Sequence, residues 1–281
     1  MGGKLQKAHD MCVIKENDLI QCASYDLTTI EQKMFCYVIS KIKPTDKEFQ
    51  RYEISALEFA EICGINKKNV YREFKKMALD FNTKARWIKI GNSEILFSPF
   101  AEAECNQKRG SISVILNSRL KKYLIDIGGV QGRYTKYELW NILSLKTKHS
   151  IRLYELFKSY SYQFEKDFDI DELKGLLCVE NYKNYSELNR CVLTKAVKEI
   201  NLCTDLEVSY TAKKEGKEHK VKKITFKIQK KEIDEKITAF CESIDRINKK
   251  KKQVKGQVSI FDYEMEKEIK CADEVKVTPA D

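Results

Sequence analysis

Residues 52–82, YEISALEFAEICGINKKNVYREFKKMALDFN (Tyr52 to Asn82), decide how the rest of the chain reads. They describe two short helices about a glycine turn. Ser55 is placed to cap the first, and Glu58 three residues on completes a capping box. Leu57, Ala60 and Ile62 fall on roughly one face. Cys63 and Gly64 stop that helix, because Gly64 can take the positive φ that suits a C′ position. A second helix starts near Asn66. Val70, Phe74, Met77 and Phe81 recur at three- and four-residue spacing and form its inner face. Lys67, Lys68, Asn69, Tyr71, Arg72, Lys75 and Lys76 point outward. Apolar inside and basic outside is the pattern of a helix-turn-helix whose second helix meets DNA. A solvated helical hairpin gives the same pattern, so the stretch needs support from elsewhere.

Repetition supplies it. Residues 17–26 form a short segment read as a strand. A helix opens after Leu27 with Thr28 or Thr29 as cap, the stripe Ile30, Met34, Tyr37, Val38 and Ile42, and a stop at Pro44. After the helix-turn-helix, Arg86–Ile90 and Glu94–Pro99 read as strands about Gly91-Asn92. Ser111–Leu116 is a further strand, behind the basic turn Lys108-Arg109-Gly110. Three helices followed by a β-hairpin is the winged-helix arrangement. Asn117–Asp126 reads as a short helix, and Gly128, Gly129 and Gly132 mark a boundary.

The pattern then restarts. Helices are expected at Lys136–Leu145 and after Ser150, the latter with Ile151, Leu153, Tyr154, Leu156, Phe157 and Tyr160. FDIDEL (Phe168–Leu173) matches YEISAL (Tyr52–Leu57) at an offset of 116 residues, with Asp171 as the cap equivalent to Ser55. Leu188, Val192, Ala196 and Ile200 line the next helix, while Ser186, Asn189, Arg190, Lys195 and Lys198 face elsewhere. Thr204–Ala212 and Lys220–Ile228 form a hairpin whose tip, Lys213–Lys223, holds six lysines and one histidine against two glutamates. Each lysine on a phosphate adds salt-dependent affinity; lysines on a strand edge also discourage edge-to-edge association.

The expected architecture is therefore α+β, with two tandem winged-helix (helix-turn-helix plus β-hairpin) domains. An N-terminal arm covers 1–16, the first domain 17–131, the second with a closing helix 132–247, and a flexible tail 248–281. The closing helix is read from the stripe Ile233, Ile237, Phe240, Ile244 and Ile247. Two such units suit two major grooves on one face of a duplex, about one helical turn (roughly 34–36 Å) apart.

Charge agrees with this reading. The chain carries a formal net charge of +10. From Lys231 onward 11 basic residues face 12 acidic ones, so the excess lies in the first 230 residues, as a polyanion partner requires. Ten cysteines without a C-x-x-C pair read as small buried hydrophobes in a reducing cytosol. No signal peptide or apolar run of about 18–20 residues is present, so a cytoplasmic location is expected.

The segment Leu143–Leu156 resembles the "L-K-S-K-x-S-x-R-x-Y-E-L" stretch of the initiator family for theta-type plasmid replication, with Thr147 where serine is common. Phe168–Leu177 and then Val192–Val208 (VLTKAVKEINLCTDLEV) resemble that family's "V-L-x-x-A-x-x-E-I-N-x-x-T-D-x-x-V" pattern. The opening helix, Leu27–Ile42, matches more weakly. The resemblance covers about Asn17–Lys230. It implies a bacterial twin winged-helix protein that binds repeated origin sequences (iterons) in double-stranded DNA to initiate plasmid replication. It also implies monomer and dimer forms, an operator in the protein's own promoter, and contact with host replication proteins such as a helicase. Under that resemblance the DNA-binding candidates are Lys67, Lys68, Asn69, Tyr71, Arg72 and Lys75 in the first unit. In the second they are Ser186, Asn189, Arg190 and Lys195. Lys213, Lys214, Lys220 and Lys222 would hold phosphates, as would Arg133. Arg72 suits a guanine and Asn69 an adenine. Glu187 suits either a cytosine amino group or a capping role. Phosphate contacts position; few of these side chains specify.

In the tail, Gln257-Val258-Ser259-Ile260-Phe261 is similar to the short peptide with which bacterial replication factors dock on the sliding clamp. Gln257, Ile260 and Phe261 would make that contact; a short element docking on the protein's own body is the other reading. No enzyme is expected. Nucleic-acid nicking of the rolling-circle type needs an H-x-H metal pair, and His9, His149 and His219 lie far apart. No G-x-x-x-x-G-K-[ST] loop is present. His9 and Cys12 have a metal-like spacing but no second pair, so neither a metal nor another cofactor is expected. The alternative function is a tandem winged-helix repressor without an initiator role.

Overall fold

The computed structural model describes residues 11–24, 26–63, 66–83, 86–90, 93–127, 133–215 and 220–232, with 234–236, 238–239 and 242. For 61–63, 82–83, 86–90, 93–97, 214–215 and 220 the backbone alone is described. Gly64, Gly91-Asn92, the glycines at 128–132, most of the closing helix and the whole tail lie outside the described residues.

The chain begins with a correction to the expected arm. Cys12–Glu16 is strand β1, with Val13 and Lys15 on its buried face. Asn17–Gln21, read as a strand, is instead helix α1. Helix α2, Thr29–Ile39, is capped as expected: Thr28 Oγ1 accepts from Glu31 N, and the Glu31 carboxylate accepts from Thr28 N. A box of this kind contributes about 1 kcal/mol. The helix ends at Ile39, ahead of Pro44.

Strand β2 (Tyr52–Ser55) leads straight into α3 (Ala56–Cys63). Ser55 Oγ accepts from Glu58 N at 3.0 Å, but the Glu58 carboxylate is taken by the hydroxyl of Tyr37 on α2. Ala56, Phe59 and Ala60 turn inward, and Leu57, expected there, is 52% exposed. A single helical turn at Lys67–Asn69, capped by Asn66, opens α4 (Val70–Thr83). Val70, Phe74, Met77 and Phe81 are all buried, and Phe74 meets Phe59 edge to face.

The strands that follow change the reading of the first hairpin. Among the described residues, β3 (Arg86–Ile90) and β4 (Ser93–Phe97) pair only with each other, apart from the other sheets. Phe100–Asn106, not expected as a strand, is β5, and it pairs with β6 (Ser111–Leu116), which pairs with β2. The sheet order is β2-β6-β5. After α5 (Lys121–Leu124) comes β7 (Tyr134–Glu138), antiparallel to β1, where the start of a helix was expected. The helix there, α6, is shorter: Leu139–Ser144.

In the second unit, helix α7 (Lys148–Tyr160) is capped by Thr147. Strand β8 (Glu165–Asp169) leads straight into α8 (Ile170–Leu177). Asp169, not Asp171, is the cap, accepting from the backbone of Asp171 and Glu172. The two units are thus in register at Ser55 and Asp169, an offset of 114 rather than 116. The slip of two left the inward face of the strand unchanged, because strand side chains alternate with period two. Next come α9 (Tyr185–Leu188), a π turn at Asn189–Leu193, and α10 (Thr194–Cys203). The sheet closes with β9 (Leu206–Glu215) and β10 (Lys220–Lys230), in the order β8-β10-β9. Matching the two sheets makes β5–β6 the counterpart of β9–β10. The first wing is therefore β5–β6, and β3–β4 is an insertion with no counterpart in the second unit.

One contiguous buried cluster runs from Val13 to Ile228, so the units share a core. Most of the polar joinery is at α7. Arg152 donates to the carbonyls of Ile20 and Ala23, where α1 ends, and to that of Leu176 near the end of α8. Lys33 on α2 donates to the Leu143 carbonyl in α6 at 2.5 Å. Tyr154 donates to Asp205 at 2.9 Å, and Lys158 pairs with the same carboxylate. Carbonyls left over at helix ends must be satisfied when buried, and here long side chains do it across the unit boundary.

Candidate nucleic-acid interface

Each unit presents an outward helix. On the first, Lys68, Arg72, Lys75 and Lys76 are exposed, and Lys67 and Asn69 are half-exposed. Asn66 bends the chain into the helix by accepting from Lys68 N, which leaves Lys67 and Lys68 at its start. Tyr71 is half-buried against the core, so it offers only part of its ring. Arg72 Nη2 lies 3.1 Å from the carboxylate of its neighbour Glu73.

On the second, Ser186 lies on α9, Asn189 and Arg190 in the π turn, and Lys195 on α10. Ser186, Arg190 and Lys195 are exposed. Leu188, Val192, Leu193, Ala196 and Ile200 are buried below them. Within the π turn Val192 and Leu193 both reach the core, while Arg190 is exposed. Glu187 N donates to the cap Asn184, so Glu187 sits at the third position of that helix. Asn189 is not free-standing: the Tyr210 hydroxyl on β9 donates to its Oδ1 at 2.5 Å.

The wings are basic at both units. In the second, Lys213 and Lys222 are exposed on the paired strands. Lys213 Nζ lies 3.4 Å from the Asp167 carboxylate on β8. That carboxyl is held below its ordinary value, chiefly by the Thr225 hydroxyl and then by Lys213. The side chains of Lys214 and Lys220 lie outside the described residues. In the first wing, the turn between β5 and β6 exposes Lys108 and Arg109. Gly110 closes it at φ +66°, a conformation glycine adopts without strain, and its carbonyl accepts from Ala56 N where α3 begins. The basic turn was visible in the sequence. Its place at the tip of the wing was missed because β3–β4 stood where a wing was expected.

Arg133 is exposed just before β7, and its carbonyl accepts from Asn17 N. Gln257, Ile260 and Phe261 lie outside the described residues. Among the described residues no group of three His, Cys, Asp or Glu could hold a metal ion. No helix among them is long and apolar enough to cross a membrane.

Two family models cover this architecture. "Initiator Replication protein, WH1" matches residues 12–158, and "Initiator Rep protein, WH2" matches residues 169–228. The chain belongs to the initiator replication protein family. That family is described by replication initiation, not by a catalysed reaction. A curated "Replication initiation protein" of Escherichia coli is 24% identical over 213 residues, 71% of this chain. The chain spans 65% of that relative's length. An "Uncharacterized 27.6 kDa protein" of Escherichia coli is 24% identical over 221 residues, covering 73% of this chain and 91% of the relative. The crystal structure of the Pi initiator protein in complex with iteron DNA superposes with a TM-score of 0.59 at 18% identity. It covers 80% of this chain and 99% of its own, and it shows that the initiator fold extends across both units.

Within the family pattern, the Leu143–Leu156 motif turns out to be joinery. Thr147 caps α7, Arg152 and Glu155 are buried in contacts with Ile20 and Lys15 from the start of the chain, and Tyr154 is buried against Asp205 of its own unit. The second motif behaves likewise. Asn201 ties α10 to β9 through paired bonds with Val208, each 2.8 Å, and Asp205 receives Tyr154.

Proposed function

We propose that this protein binds double-stranded DNA sequence-specifically at repeated origin sequences, iterons, and thereby initiates plasmid replication. The same binding at an operator in its promoter would repress its own gene. The observation that carries this reading is the pair of winged-helix units, each with an outward basic helix and a lysine- or arginine-bearing wing. Kinship supports it: the Pi initiator, similar in fold, was crystallised with iteron DNA. The proposed contacts are Lys67, Lys68, Asn69, Tyr71, Arg72 and Lys75 in one unit, and Ser186, Asn189, Arg190 and Lys195 in the other. Lys213, Lys214, Lys220, Lys222 and Arg133 act on phosphates, and Lys108 and Arg109 join them.

The functional division follows the two DNA-facing units, residues 17–131 and 132–247, with α7 shared between them as a spine. The work is binding and duplex opening without catalysis, in the bacterial cytoplasm. Self-association into dimers and recruitment of host helicase complete the cycle. The Gln257–Phe261 peptide docks on the sliding clamp; unchanged clamp pull-down with a Gln257→Ala/Phe261→Ala double variant would remove that part.

The test of the main reading is binding to the repeats flanking the gene against a shuffled duplex of equal length, across a salt series. A preference of about a thousandfold or more, with a steep salt slope, is expected. Equal binding to both duplexes would leave a nonspecific basic scaffold.

A further inference from the structure

The Asn189 side chain stands in an unusual setting for a groove-facing residue. It lies on the π turn of the second outward helix, next to exposed Arg190. Its Oδ1 receives the Tyr210 hydroxyl at 2.5 Å, and the Thr194 hydroxyl at 3.4 Å. The two hydroxyls are themselves 3.2 Å apart. Tyr210 is held in place from below, its ring 5.5 Å from that of Phe226, which is fully buried. So the wing strand β9 reaches up and fixes a side chain on the helix.

An asparagine amide offers an acceptor on one end and two donor hydrogens on the other. Free, it reads adenine with both ends, accepting from N6 and donating to N7. Here the acceptor end is engaged within the protein. A phenol is a good donor and a poor acceptor, which sets the amide oxygen, not the nitrogen, toward Tyr210. The nitrogen keeps both hydrogens for an external partner.

We propose that Tyr210 is a specificity-determining positioning residue: it makes Asn189 a donor-only reader, matched to guanine, whose O6 and N7 are both acceptors, and not to adenine. The inference rests on the DNA-binding reading above. It deepens that reading by assigning a base to one position of the second unit. The π turn serves the same end, since it presents Asn189 outward while the core residues beneath it stay packed.

The test uses the full chain and a randomised duplex library to select a preferred sequence, followed by a panel of single-base-pair substitutions in it. Asn189→Ala should lose discrimination at one guanine position, by roughly 5- to 150-fold. Tyr210→Phe keeps the ring on Phe226 and should relax the same position toward adenine. Its salt slope and its discrimination elsewhere should stay as in the parent. A merely structural role for Tyr210 would instead weaken all positions together. If the parent selects a sequence and Tyr210→Phe keeps every base preference, the proposal is overturned. It is equally overturned if the Asn189-dependent position is adenine or cytosine. If the parent selects no sequence, the DNA-reading assignment itself falls, an outcome distinct from both.

Discussion

The Nζ of Lys15 sits 2.6 Å from Oε1 of Glu155, 140 residues along the chain, and both side chains are almost wholly buried. The same carboxylate accepts from the Tyr137 hydroxyl, and the Cys36 thiol lies 3.6 Å away. Strand β1, strand β7, helix α2 and helix α7 therefore meet at one ion pair. Lys15 also lies over the Phe35 ring, 5.1 Å from its centroid.

Breaking one half of this pair strands a charge in the core. Lys15→Met or Glu155→Gln alone should cost about 3–5 kcal/mol, while Lys15→Met with Glu155→Leu should cost clearly less than either. Urea denaturation of the three variants measures this. A double variant as unstable as the singles would mean the pair does more than cancel its own charges.

The pair should also shape the acid limb of stability. Burial alone would raise the Glu155 carboxyl, but Lys15 and Arg152 outweigh it, and the net shift is downward from 4.5. A carboxyl depressed in the folded state stabilises above its unfolded value. That stability is lost as pH falls through the folded value. Melting temperature followed from pH 6 to pH 3 should fall less steeply in Glu155→Gln than in the parent, from a lower starting point.

The caps distinguish the two registers of the repeat. Asp169→Ala should cost about 1 kcal/mol, since it removes the oxygen that Asp171 N and Glu172 N donate to. Asp171→Ala removes a first-turn charge together with its 3.7 Å pairing to Lys174, a loss of about 0.3–1 kcal/mol that salt should screen away. Thermal denaturation at low and high salt separates them.

Two of the proposed DNA contacts hold carboxylates in the free protein: Arg72 holds Glu73, and Lys213 holds Asp167. Phosphate and base must displace those partners. Glu73→Gln and Asp167→Asn should each tighten DNA binding by about one- to fivefold, the range set by exposed ion pairs. Fluorescence anisotropy with an origin duplex reads this directly. Weaker binding would make the carboxylates supports and not competitors.

Removing the first wing tip by Lys108→Ala/Arg109→Ala should weaken binding to all duplexes alike and lower the salt slope by about two. Arg72→Ala should instead cost about 1–3 kcal/mol at its own base and relax preference there. If the wing-tip double variant leaves the slope unchanged, β5–β6 does not reach the backbone.

The outward helices were legible because period and charge coincide: Val70, Phe74, Met77 and Phe81 are buried and Lys68, Arg72 and Lys75 exposed, as spacing required. Leu57 misled because local apolar spacing does not tell which side faces the core; Phe59, two residues on, supplies the packing. Lys15 hid strand β1. A lysine within a five-residue segment argues for a surface, and only a carboxylate from a distant helix makes it a core residue. The first wing was obscured by an inserted hairpin with better turn residues than the wing itself. Tyr210 left no signal at all, since nothing in a strand sequence tells which hydroxyl will meet a helix.

The Lys15–Glu155 clasp also sets a timetable. At about 5–20 residues per second on the ribosome, 140 residues take about 7–28 s. Through that interval the nascent strand β1 lacks its counter-charge, and until Thr135 is made, 120 residues after Lys15, it also lacks its β7 neighbour. Val13 and Lys15 are then without the site that buries them. The buried core around β1 is completed only when helix α7 of the second unit has been made. A chain halted between them is expected to be a chaperone client, not a half-specific DNA binder competing for the origin.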